Sequence, residues 1–256
     1  MRNLRFISLC LGGLFVTACY QKKAERSPNW GHAQMEVEDE IIDTTDQVYY
    51  VDTFQLVSTH TIAKDLNKNL KRKWVVTPLT FEEIDESDTL SIVHQIAMSE
   101  VYSSIGNVTK NVALVKASND KIEELTVLIC EEENSIRPSS VEIDSLPHVM
   151  KQFYLEAMDI KYLVYADAHK WLENVYLTLQ QSKNIKSSKQ FDEVLKIQWD
   201  NGHEMLIRLY AFQEFDPLAQ FSQQLITLLD GVKENKNYAE LLEMVIDVRA
   251  AFGQQQ

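Results

Sequence analysis

The stretch "SLPHVMKQFYLEAMDIKYLVYADAHKWLENVYLTLQQS", residues 145–182, decides the fold class of this chain. Met150, Phe153, Ala157, Ile160, Val164, Trp171 and Val175 recur at spacings of three, four or seven. At about 100° per residue they share one stripe of a helix. Asp144 and Ser145, followed by Pro147, form a start signal: a capping side chain, then a proline whose missing N–H costs nothing in a first turn. The spacing predicts one helix from about Leu146 to Ser182.

The same periodicity extends outward. Asp216-Pro217 opens a second helix that buries Leu218, Phe221, Leu225 and Leu228 and ends near Gly231. A third, with Leu241, Leu242, Val245 and Val248, runs from about Lys236 to Phe252 and stops at Gly253. Ile62, Leu66 and Leu70 place a helix at about 58–72. Leu90, Val93, Ala97, Val101 and Ile105 place another from Asp88. Between Gln47 and Gly253 there are four prolines and few glycines, which favours long helices over a many-turned β fold.

Two segments carry mixed signals. "LKIQWDNGHEMLIRL" sets Asn201-Gly202 between alternating apolar residues, the strongest short hairpin signal. Phe191, Leu195, Trp199, Leu206 and Leu209 also fit a helix interrupted at Gly202. "NVALVKASNDKIEELTVLIC" is ambiguous in the same way. Because their neighbours are long helices, both are read as helical. The expected fold is mainly α, a single helical bundle of about six helices over residues 47–253, with one short β-hairpin near 194–210 as the alternative.

Around residues 162–176 the long helix carries Tyr162, Tyr165, His169, Glu173 and Tyr176, roughly opposite the apolar stripe. His169 and Glu173 are at i and i+4, close enough to share a metal or a proton. The bland reading is a central helix buried on two sides, because a tyrosine ring packs while its hydroxyl finds a partner. The sharper one is a ligand pocket with His169 as ligand or base. A sizeable cavity lined by His169, Glu173 and the tyrosines would favour the pocket; a solid core with an exposed apolar patch would favour an interaction module.

The start of the chain supplies an address. Arg2 and Arg5 precede an apolar run, Phe6 to Ala18, of about 13 residues, whereas a membrane-spanning helix needs about 20. A basic start, a short apolar core and small residues at its end read as a secretory signal. Val16-Thr17-Ala18-Cys19 resembles the lipobox of bacterial lipoproteins. That resemblance implies residues 1–18 as a cleaved lipoprotein signal peptide, and Cys19 as the lipidation site, acylated with palmitate-type chains. With Tyr20 rather than aspartate after the cysteine, it favours the outer membrane over the inner. Residues 19–46, polar and then acidic, follow as a flexible lipidated tether spanning roughly 30 Å.

The chain carries 38 acidic and 25 basic residues, a formal charge of −13 that becomes −15 once Arg2 and Arg5 leave with residues 1–18. No Lys/Arg stripe could neutralise a phosphate backbone, so nucleic acid is not an expected partner. The basic run "KNLKRK", 68–73, reads as a solvated helix end. Beyond Cys10 and Cys19 only Cys130 remains, behind "LTVLI", and it reads as a buried thiol. Tyr49 and Tyr50 read as the anchor of the first element.

Zincin, di-iron, P-loop, dinucleotide and Gly-x-Ser-x-Gly signatures do not occur. Catalytic residues, metal ligands and cofactors are therefore not assigned. The expected partners are the bilayer, through acylated Cys19, and an envelope protein. The expected function is a membrane-anchored, non-enzymatic interaction or structural module at the cell envelope. The alternative is a ligand- or metal-binding protein, or a small enzyme, that uses the His169, Glu173 and tyrosine face.

Overall fold

A computed structural model describes residues 56–74, 76, 88–129, 149–151, 153–154, 158–233 and 237–253. All lie within one compact unit, Ile42–Gln256. The signal peptide, Cys19, the tether, the domain start at 47, Tyr49, Tyr50, Cys130 and the Asp144-Ser145-Pro147 start signal lie outside the described residues.

The architecture is a mainly α bundle. In chain order it comprises α1 (Thr59–Asn69), α2 (Thr89–Thr109), α3 (Val112–Ile129), α4 (Ile160–Gln180) and the 3-10 turn Gln181–Asn184. There follow α5 (Ser188–Tyr210), α6 (Asp216–Lys233) and α7 (Tyr238–Gly253). Residues 149–151 and 153–154 are helical as well. Local chemistry sets the starts. Ser58, Asp88, Asp159 and Ser187 each accept a backbone N–H from the first turn they precede, and Asn237 Oδ1 does so for α7. Each supplies an acceptor to a donor the helix cannot satisfy itself. α2 ends at Lys110, which takes the left-handed conformation at φ 59° and turns the chain directly into α3.

α4 is the centre of the bundle, packed against α2, α7, α5 and α1. Val164, Trp171 and Val175 of the stripe are buried, and so are Leu163, Tyr165, His169 and Glu173 around the rest of its girth. α6 buries Leu218, Phe221, Leu225 and Leu228, and α2 buries Val93, Ala97, Val101 and Ile105, as their spacing predicts. Below α4, Leu70 and Ile185 form an isolated bridge, and Asn69 exchanges side-chain hydrogen bonds with the Ser187 backbone at 3.0 Å each way. Lys71, Arg72 and Lys73 are exposed, so the basic run is a solvated helix end.

One expectation is corrected, and one open alternative is decided in favour of the helical reading. The helix predicted from Leu146 to Ser182 is not continuous: Met158 and Asp159 leave the helical path, and Asp159, at ψ 147°, caps a new start at Ile160. An aspartate carboxylate competes for the backbone N–H two residues on, here that of Lys161 at 3.2 Å, and so favours a start over continuation. The β-hairpin alternative near 194–210 is absent, and α5 runs unbroken through Asn201-Gly202. Gly202 is a crossing point: a Cβ there would come within 2.8 Å of Trp171 Cζ2. The glycine costs helix propensity but lets α5 approach the α4 indole, whose Nε1 donates to the Gln198 carbonyl at 2.7 Å.

Candidate functional site

Four-residue spacing carries Tyr165, His169 and Glu173 down one side of α4, where α2 and α7 cover them. Tyr165 meets His169 edge to face, with centroids 4.5 Å apart. The His169 ring lies between that of His94 from α2, at 4.2 Å and 15°, and that of Phe252 from α7, at 4.1 Å and 29°. Phe252 stacks in turn on Phe221 of α6 at 4.2 Å. Four rings from four helices thus form one column.

His169 is 4% exposed, and its Nε2 is buried without a hydrogen-bond partner. Burial, then His94 and Arg249, holds its pKa well below the usual histidine range. Burial and then Arg249 bring His94 down to about 4. Both imidazoles are neutral at pH 7.

Glu173 does not turn to His169. One carboxylate oxygen accepts the Tyr102 hydroxyl at 3.0 Å, and the other pairs with Arg249 Nη2 at 2.7 Å. The carboxylate is 1% exposed. Burial raises its pKa, while Arg249 and the Tyr102 hydrogen bond oppose that rise. Arg249 also lies over the Tyr176 ring, 3.7 Å from its centroid. Tyr176 therefore joins the site through Arg249. Tyr162 does not: it packs edge-on to Phe215 with Lys161 over its ring.

A cleft of about 290 Å³ opens where these groups meet. α2 contributes His94 and Met98, α4 contributes His169, Leu172 and Glu173, and α7 contributes Ile246, Arg249 and Ala250. The histidine and glutamate line it, while the tyrosines stand behind. One helical turn away, a second polar cluster ties three helices together. Lys170 pairs with Glu100 at 3.0 Å and with Asp167 at 2.7 Å, and Asp167 pairs with Arg208 at 3.1 Å. Burial disfavours charge on Lys170, but Asp167 and Glu100 outweigh it and raise the pKa. Two acids and two bases balance there, which suits a structural tie.

Among the described residues no group of three or more His, Cys, Asp or Glu side chains could hold a metal ion. No described helix is long and apolar enough to cross a membrane. Comparison with family models, with curated proteins and with solved structures finds no match for this chain.

Sequence reasoning missed His94, Met98, Tyr102 and Arg249. A signal for the first three was present: they recur at four-residue spacing beside the apolar stripe of α2. Arg249 gave none, since a lone arginine near a helix end is ordinary.

Proposed function

We propose that this chain is a lipid-anchored bacterial envelope protein whose helical domain works by binding, as an interaction or structural module, and not by catalysis. The address rests on the Val16-Thr17-Ala18-Cys19 lipobox resemblance, with the outer membrane favoured by Tyr20. What supports the non-catalytic reading is one observation. Glu173, at the bundle centre, is committed on both oxygens, to the Tyr102 hydroxyl and to Arg249. A general base needs to reach the proton it takes, and a carboxylate held on both oxygens is poorly placed to do so.

Two experiments test this. Cys19→Ser should leave an unprocessed, unacylated precursor that no longer takes up labelled palmitate; equal labelling of variant and wild type would refute the anchor. Complementation of a deletion strain by His169→Gln should fall only in proportion to the amount of folded protein. A fully folded but inactive His169→Gln chain would refute the reading of His169 as a core residue and make this face of α4 an active or binding site.

The cleft favours a second reading, a small-ligand binder. It is concave, part apolar, and collects a few fixed polar groups, as ligand sites do.

A further inference from the structure

We infer that the cleft between α2, α4 and α7 takes a small monocarboxylic acid, with its carboxylate on Arg249 and its apolar body against Met98, Leu172 and Ile246. The inference rests on the second reading above. Arg249 is fixed before any ligand arrives. Glu173 holds one edge of the guanidinium at 2.7 Å from beneath, and the Tyr176 ring supports a face at 3.7 Å. These are its partners among the described residues, and they use one of its five N–H donors. The side chain is 30% exposed, against 1% for Glu173, and it lines the cleft.

A guanidinium held in this way presents a planar fork, which matches a carboxylate. One turn earlier on α7, Ile246 is 44% exposed at the same cleft and offers apolar surface for a ligand to cover. Met98 and Leu172 continue that surface inward. At about 290 Å³ the space lies at the small end of the roughly 300–1,000 Å³ range of ligand pockets.

Charge selects among anions. Glu173 already offsets Arg249, so a monoanion leaves the site with one excess negative charge. A dianion such as phosphate would leave two beside a buried carboxylate, in a chain of net charge −13.

The test uses the full-length protein in detergent micelles with four probes: butyrate, benzoate, benzyl alcohol and inorganic phosphate. Binding is read from the thermal midpoint and from the ring resonances of His94 and His169. Benzoate and butyrate should raise the midpoint and move both histidine signals, benzyl alcohol should bind roughly tenfold more weakly, and phosphate should do neither. Arg249→Lys keeps a cationic partner for Glu173 and should weaken benzoate roughly tenfold while leaving benzyl alcohol unchanged.

If benzoate and benzyl alcohol bind equally, in wild type and variant alike, the carboxylate assignment falls and the ligand cleft stands. Phosphate displacing benzoate would show a general anion site and overturn the monocarboxylate assignment. If no probe binds at tens of millimolar, both the assignment and the ligand-cleft reading fall.

Discussion

Arg249 Nη2 lies 2.7 Å from Glu173 Oε2, joining the last helix to the central one across a carboxylate that is almost wholly buried. Opening such a pair by removing the cation strands a charge away from water. Removing both partners strands nothing. Arg249→Met should therefore destabilise the fold, toward the lower end of the roughly 3–5 kcal/mol cost of breaking a buried pair, because the arginine is partly exposed. The double variant Arg249→Met/Glu173→Gln should recover most of that loss. Chemical denaturation of wild type, Arg249→Met, Glu173→Gln and the double variant measures it, and additive losses in the double variant would show that the pair is not coupled.

Gly202→Ala distinguishes helix propensity from packing. Within a helix, alanine should gain about 0.5–1 kcal/mol over glycine. Here the new Cβ would stand 2.8 Å from Trp171 Cζ2, on an indole tied to the Gln198 carbonyl. Overpacking of this kind costs about 1–3 kcal/mol, so net destabilisation is expected. A raised melting temperature would show that the α4–α5 crossing can give way.

Acid should weaken the ring column. Above pH 6.5 His94 is neutral folded and unfolded, and contributes nothing to the pH dependence. As pH falls from 6.5 toward about 4, the unfolded chain binds a proton that the buried ring refuses, so stability is lost through that window. The loss for His94 is on the order of 3 kcal/mol at 1.36 kcal/mol per unit. His169, depressed further by burial and by His94 and Arg249, extends the loss to lower pH.

Facing them, Glu173 has a raised pKa and works in the opposite sense, since the folded state takes up its proton first as pH falls. Melting temperatures between pH 4 and 8 should fall with acid in wild type and less steeply in His94→Gln. Parallel curves would mean that the stack does not govern acid sensitivity.

Asp159 sets the start of α4, with its carboxylate accepting the Lys161 N–H at 3.2 Å. Asp159→Ala should cost about 1 kcal/mol and Asp159→Asn much less, because asparagine caps nearly as well. Equal losses in the two, seen by thermal denaturation, would place the effect in the Lys161 ion pair instead.

The sequence by itself determined where most helices lie. Ile62 and Leu66, Val93 to Ile105, and Leu218 to Leu228 bury the stripes their spacing marks, because amphipathic periodicity and end caps are local properties of the chain. It also pointed to an α4 buried on two sides, since Tyr165 and His169 lie away from the stripe of Val164 and Val175 on one long helix. Two local signals were readable in either direction. Asn201-Gly202 fits a hairpin turn or a close helix crossing, since a missing Cβ permits both, and only the Trp171 indole beside Gly202 selects the crossing. Asp159 fits a helix surface or a helix start, and the apolar spacing that continues in step past it, from Met150 to Val175, hid the break.

The partners of the candidate site belonged to tertiary structure alone. Tyr102 reaches Glu173 across 71 positions, and Arg249 comes from the last helix. Whether such side chains meet depends on helix register and crossing angle, which whole faces packing together decide and no local stretch encodes.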